Sequence, residues 1–596
     1  MKKHFIITTL LFLFFVSSIF AGNGKKVYAD YHGVRYTREH DGMLGRWSYY
    51  ANTEKSSTGQ KTLCYNADLI QACGKHEIAA VAYPLAGIQS NLDPDFIEYQ
   101  ILSAKAAKID GFFIEWGFMH HENDVLLKAM QKVAEKYDFE IGVNWCDGWI
   151  YYNWITQRFP EINSREKKTA YYVTCYQYLI DSVLYSATAP VVDGKPVFYL
   201  FGPGATPQEY EWIYALLNFP ANKEKPVVLR RWADWGTLQN DRYIPITRSD
   251  DMDQWMQLNM IPTAWLPARV RLGDDNHPYW DNYATQEDII EFMKPFRDSI
   301  WNAPTSKFNL KSGFVMPGMD NRGCAGWGRS HFFYMPRASG ETYKKMWEFN
   351  LASKEQLDMI FIASWSDYTE GHEIEPTIEN GYTELENTLK YAAIFKEEPA
   401  DYSGLELPLQ LFQLRRDVKF LLQTGKKTVG YDKELNQIGL LISNGKYKSA
   451  EAKIRKISKA LQKVQSNLKF ETVELTWQDS ALQISSTQQG KKEKTIVDLP
   501  VEFKEKLKHN HYTGYLMFEY YDEGYEFFSV KSDTRKEPKN LFGTVAFIKN
   551  DDSKKWKQAR VQLIKDNINI QSDRPVLQIE GATKIKNIAV QYEIYQ

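Results

Sequence analysis

From about residue 77 to residue 396 the chain repeats one pattern: a short apolar run, then an amphipathic stretch of helical period, then another apolar run. This constrains the fold more than any other feature. A run of four to eight apolar residues without polar alternation is a strand buried on both faces, and buried strands joined by helices form a parallel sheet. Candidate strands are residues 78–83, 111–116, 139–145, 196–201, 226–230, 261–266, 313–317 and 359–364. Helical segments read at 95–108, 124–137, 165–185, 287–300 and 341–353, and Asp93 before Pro94 is a helix-start signal. Eight strands predict an α/β fold of (β/α)8 TIM-barrel type. Residues 27–36 compete with 78–83 for the place of first strand, and the long connection 231–260 breaks the spacing.

Beyond residue 400 the pattern changes. Leu, Lys and Gln dominate to about residue 466, with a turn at Asn444 and Gly445, which reads as a helical connector. From about residue 470 short alternating runs such as 515–521, 543–548, 560–564 and 586–595 predict an all-β sandwich. The expected division is a leader at 1–21, a barrel domain at 22–399, a connector at 400–468 and a sandwich at 469–596.

The leader follows from Lys2 and Lys3, an apolar run over 5–15 and small residues up to Ala21, the pattern of a signal peptide. Its apolar stretch is short for a membrane span, so the mature chain is expected to be secreted or periplasmic, at the cell surface or free of it, with no membrane partner. Lys and Arg number 73 against 75 Asp and Glu, leaving a net charge of −2 and no field to recruit nucleic acid. Five cysteines cannot all pair; Cys64 and Cys73 are read either as one disulfide or as two free thiols, and none has metal-ligand spacing. Aromatic residues make up 14% of the chain, which suits either a large core or stacking on sugar faces.

In a barrel of this type the reactive groups sit at the C-terminal ends of strands. Tyr83, Glu115, Trp116, Asp147, Arg231, Asp320 and Asn321 occupy such positions, and the densest set follows the last run: Ser364-Trp-Ser-Asp-Tyr-Thr-Glu-Gly-His-Glu-Ile-Glu375. Clustered carboxylates at a strand end meet the needs of glycoside cleavage, which requires a proton donor for the leaving oxygen and a second carboxylate for the nucleophile. His372 with its acidic neighbours is not a standard metal set; no metal or cofactor is expected.

The same segment resembles a signature shared by glycoside hydrolase families 71 and 99, a carboxylate-x-x-Glu-Gly loop after a late barrel strand. The resemblance extends to Val315-Met-Pro-Gly-Met-Asp-Asn-Arg322, to residues 343–353, to Ala82-Tyr-Pro-Leu85 and to residues 104–116, so it covers about residues 30–396. It implies Asp367 and Glu370 as the catalytic pair and an α-linked polysaccharide or oligosaccharide as substrate. Trp365, Tyr368, His372 and Glu375 would line the same end, with Trp116 and Tyr83 as sugar platforms and Asp320 and Asp147 as hydroxyl partners. Family 99 has Glu where this chain has Asp367, which is more like family 71, whereas Glu-Ile-Glu-Pro-Thr377 looks more like family 99.

Asp is one methylene shorter than Glu, which leaves room for a water. The expectation is therefore inversion, with Asp367 activating water and Glu370 protonating the leaving oxygen; the resemblance to family 71 then implies an endo-α-1,3-glucanase. A retaining endo-α-mannan hydrolase working through a 1,2-anhydro sugar is the alternative enzyme. A non-catalytic carbohydrate-binding protein is the alternative of another class.

Overall fold

The structure, a computed structural model, describes residues 24–51, 62–202, 204–231, 234–239, 242–246, 252–265, 270–276, 280–304, 307–326, 331–489, 492–533, 542–571 and 573–595. The expected leader lies outside them, as does Leu266 of the sixth predicted strand.

Eight parallel strands form the barrel: β1 (Lys26–Tyr31), β2 (Gly111–Trp116), β3 (Glu140–Trp145), β4 (Lys195–Leu200), β5 (Val227–Arg231), β6 (Met260–Thr263), β7 (Ser312–Val315) and β8 (Met359–Ile362). They pair in the order β6-β5-β4-β3-β2-β1-β8-β7, and β6 approaches β7 to bring the sheet near closure. A helix follows each strand, as the alternation predicts: Pro94–Ala106, Glu122–Ala134, Arg165–Ser182, Pro207–Leu216, Met252–Gln257, Gln286–Phe296, Glu341–Leu351 and Thr383–Lys396. Asp93 does cap the first of these, accepting from the Asp95 backbone N–H ahead of Pro94.

Seven predicted strands correspond to barrel strands and one does not. Residues 78–83 form no strand; Ile78 instead packs with Leu44, Trp47, Ala67 and Tyr368 in a small satellite core. The first strand is Lys26–Tyr31, the competitor. Lys26 and Asp30 make this stretch look half-exposed in the sequence. In the fold Lys26 pairs with Glu140 at 2.8 Å and Asp30 is buried, so the polar residues are accommodated by partners rather than by solvent.

The long connection after β5 contains the hairpin Asp234–Gln239 and Arg242–Ile246. This hairpin joins segments that follow β6 and β7 in a second, six-stranded sheet. Further on, helices Leu407–Gln423, Tyr431–Ser443 and Tyr447–Gln465 pack together and against Pro94–Ala106. The joint holds a buried charge: Glu98 accepts from Arg415 at 2.8 Å and also from Arg415 Nε and the Tyr137 hydroxyl.

The C-terminal strands form two sheets over one core. One runs Phe470–Thr476, Ile585–Tyr595, His511–Tyr521, Trp556–Ile564; the other runs Gln483–Gln489, Lys492–Asp498, Leu577–Ala582, Phe528–Asp533, Phe542–Ile548. The sandwich is tied to the barrel domain by Asn66 to the Phe547 carbonyl at 2.6 Å, the Phe547 N–H to Asp68 at 2.8 Å and Lys549 to Glu77 at 2.8 Å. None of the five cysteines forms a disulfide, Cys64 and Cys73 included. No helix among the described residues is long and apolar enough to cross a membrane.

Candidate active site

Successive strands deliver polar side chains to one end of the barrel. β1 ends at Asp30 and His32, β2 at Glu115, β3 at Asn144, and the chain leaving β8 contributes Ser364 to Glu375. The β8 loop is held by its own backbone. Ser364 Oγ accepts from the Asp367 N–H at 2.8 Å, and the Ile374 N–H returns to the Ser364 carbonyl at 3.0 Å. Gly371 adopts φ +66°, and a Cβ there would meet the Asp320 carbonyl oxygen at 2.6 Å. Only glycine fits this close approach, through which the Asp320 N–H reaches the Glu370 carbonyl at 2.8 Å.

Asp367 is buried at the centre of a charge cluster. Its Oδ1 accepts from Thr369 Oγ1 at 2.7 Å and from the Glu370 N–H at 3.1 Å; Arg35 Nη2 lies 3.8 Å away. Its Oδ2 faces His32 Nδ1 at 3.2 Å and His372 Nε2 at 3.5 Å. Burial would raise the proton affinity of Asp367, but His32, His372, Arg35 and the Thr369 hydrogen bond overcome it and hold the carboxyl well below the ordinary range. Arg35 is itself buried beside the packed rings of Trp47 and Tyr368, 5.5 and 5.4 Å from their centroids.

His32 ties the cluster together. Its Nε2 meets Asp30 Oδ2 at 2.6 Å, and its Nδ1 faces Glu115 Oε1 at 3.5 Å as well as Asp367. Burial alone would lower the ring's pKa; Asp367, Asp30 and Glu115 outweigh it and raise it to about 10. Asn144 Nδ2 donates to the other oxygen of Asp30 at 2.9 Å, and Arg46 Nη1 to Glu115 at 2.6 Å. Burial pushes Glu115 up, but Arg46 and His32 bring it below its usual value.

Glu370 stands apart from this buried set. Its side chain is 25% exposed and its Oε2 lies 3.4 Å from His372 Nε2. His372 is buried and meets Trp265 edge to face at 5.9 Å; half-buried Trp265 meets Phe201 at 4.9 Å, and Arg231 lies over Phe201. Two carboxylates, a histidine and an aromatic wall thus share the mouth of the barrel. The donor atoms of Asp367, Glu370 and His372 come within 4.8 Å of one another, the one grouping among the described residues with the makings of a metal site.

The other sequence candidates fare differently. Trp116, expected as a sugar platform, is fully buried on the outer side of β2 against Trp145 and Tyr178, with its N–H on Asp124 at 3.3 Å; alternation sends its neighbour Glu115 into the barrel instead. Trp365 is core as well, packed on Phe112 at 5.1 Å. Tyr368 lies behind Asp367 against Trp47. Glu375 is sealed beneath the loop, 3.3 Å from Gln100, and burial raises it to about 8. Tyr83 belongs to no strand end; its ring packs with the satellite core under Lys75. Asp320 is occupied by Arg322 at 2.7 Å. Asp147 is buried, bracing the loop after β4 through the Ala205 N–H at 3.3 Å. Asn321 braces a loop likewise, through the Phe333 N–H at 2.7 Å.

The sequence reading missed Asp30, His32, Arg35, Arg46 and Asn144. The same strand-end rule would have found the first two once Lys26–Tyr31 was taken as the first strand.

No family model matches the chain, and no curated protein does. Among solved structures it is similar to the glycoside hydrolase family 99 endo-α-mannosidase from Bacteroides thetaiotaomicron, at 15% identity and a TM-score of 0.43 over 62% of this chain and 96% of that one. The structure of that endo-α-mannosidase in complex with bis-tris-propane gives 15% and 0.42 over 62% and 97%. A glycoside hydrolase-like protein gives 13% and 0.38 over 62% and 93%.

Proposed function

We propose that the chain is a glycoside hydrolase acting on an α-linked polysaccharide, with Glu370 supplying the proton to the leaving oxygen. The observation that carries this reading is the contrast inside one loop. Asp367 is buried and held ionised by surrounding cations, while Glu370, three residues on, is part-exposed at the barrel mouth beside His372. Glycoside cleavage asks for both kinds of group: a proton donor within reach of substrate, and fixed negative charge near the oxocarbenium-like centre.

The same geometry supports a revised substrate and route. The nearest oxygens of Asp367 and Glu370 come within 4.8 Å of one another, which leaves little room for a water between them; inverting sites set their carboxyl groups about 6.5–9.5 Å apart to admit one. In an α-mannoside the 2-hydroxyl is trans to the leaving group and can displace it, giving its proton to Asp367 as the 1,2-anhydro ring closes and Glu370 protonates the leaving oxygen; water then opens that ring, with the protons returning through the same two carboxylates. In an α-glucoside that hydroxyl is cis. The spacing therefore favours a retaining, endo-acting α-mannan hydrolase over the α-1,3-glucanase expected from the shorter Asp side chain.

In this reading the stretch 1–21 is an export signal, 22–399 the catalytic unit, 400–468 a connector and 469–596 an accessory unit. The test is product release from α-mannan and α-1,3-glucan, followed by early-time NMR of the new reducing ends. α-Configured products from mannan support the reading. Inverted products, or release from glucan alone, would return it to the water-mediated route, and no release from either polymer would favour a carbohydrate-binding protein without catalysis.

A further inference from the structure

We infer that the outer face of the four-stranded sheet in the C-terminal sandwich is a second carbohydrate site, one that holds a neutral polysaccharide chain outside the barrel. It rests on the reading above only for the choice of polymer.

The inference begins with alternation. Along His511–Tyr521 every second residue is buried, and Tyr512, Leu516, Phe518 and Tyr520 build the sandwich core. Period two turns Tyr515, Met517, Glu519 and Tyr521 to the opposite face. The register of the neighbouring strand sets Trp556 opposite Tyr521, Gln558 opposite Glu519 and Gln562 opposite Tyr515, and on the other side Gln591 lies opposite Tyr515. A sheet face left to solvent calls for polar residues alone. This one carries aromatic rings at both ends of a line six residues, or about 20 Å, long, with amide side chains beside it.

Each end of the line pairs a ring with a cation on one of its faces. Trp556 is 41% exposed, stands 5.7 Å from Tyr521 and has Lys586 over its ring at 4.0 Å; Arg560 lies over Tyr515 at 4.0 Å. Apolar sugar faces stack on such rings while hydroxyls bond the amides and cations beside them. The charges are mixed, Lys586 lying 3.3 Å from Glu519, so the face has no single-sign field for a polyanion and suits an uncharged polymer. Among the described residues the connector packs on the far end of this face, where Phe420 meets His511 at 5.6 Å and Tyr595 at 5.1 Å. The Trp556 end remains open.

The experiment uses the full chain carrying Glu370→Gln, so that binding is read without turnover, in depletion assays on insoluble α-mannan and α-1,3-glucan. The expected result is retention on one polymer, weakened about tenfold by Trp556→Ala and by Tyr521→Ala and kept by Trp556→Tyr, with melting temperatures unchanged. Retention indifferent to both alanines, or no retention on either polymer, overturns the inference. The two proposals separate cleanly. Trp556-dependent binding by a chain whose wild type cleaves nothing would sink the hydrolase reading alone, whereas cleavage with Trp556-independent binding would sink this one alone.

Discussion

His32 Nδ1 lies 3.2 Å from the Asp367 carboxylate, joining the segment after the first barrel strand to the loop after the last. The ring is also held at 2.6 Å by Asp30, so the pairing of β1 with β8 is what brings the charge cluster together. Several expected outcomes follow from this arrangement and its neighbours.

Protonated His32 makes stability depend on pH. Its pKa is about 10 in the folded chain and about 6.5 unfolded, so its stabilisation is complete below about pH 6.5, falls as pH rises through that window and is gone above about pH 10. Urea unfolding of wild type and His32→Gln should differ by a few kcal/mol near pH 6, the gap narrowing steadily toward pH 10. A gap that stays constant would mean the ring is not charged at neutral pH.

Asp367→Asn removes the charge that does most to keep His32 protonated. The His32 ring should then titrate at a markedly lower pH by NMR, and the variant should lose about 3–5 kcal/mol of stability because buried cations are left uncompensated. For wild type the sign is the ordinary one for a depressed carboxyl: stabilisation is present above about pH 4 and lost as pH falls through the folded value.

Glu370→Gln keeps the size of the side chain and removes its capacity to give or take a proton. Turnover of a polysaccharide substrate should fall about 10²- to 10⁴-fold with KM little changed, and a leaving group that needs no proton should recover much of the rate. Equal loss on both kinds of leaving group would assign Glu370 to another role.

Chelation should leave activity intact. Although Asp367, Glu370 and His372 bring donor atoms within 4.8 Å, Asp367 already accepts from Thr369 and a backbone N–H, and His32 and Arg35 balance its charge. Activity lost on dialysis against EDTA and restored by one divalent cation would show that this grouping holds a metal.

Arg415→Ala should damage the joint between connector and barrel. It strips a two-pronged partner from Glu98, which is 4% exposed, and a buried carboxylate left short of partners costs about 3–5 kcal/mol. Replacing Glu98 and Arg415 together with Gln and Met should recover most of the loss in a urea titration.

Local pattern recorded what local physics controls. Strands buried on both faces must be apolar, so β2 to β8 were legible as runs, and the helices between them as amphipathic stretches. The β8 loop stands out because four carboxylates and a histidine crowd into nine residues after a buried strand. Lys26–Tyr31 was passed over for residues 78–83 because its polar residues find partners only in the folded barrel, and with it went Asp30 and His32. The sequence could not assign Trp116 and Glu115 to opposite sides with a role for each, since alternation says that they differ and packing says which side is core. Nor could it decide that Asp367 is saturated by His32 and Arg35 while Glu370 stays part-exposed. Spacing and hydrophobic period are properties of neighbours along the chain; the electrostatics of the site belong to residues brought together from opposite ends of the barrel sequence, and only closure of the sheet sets those distances.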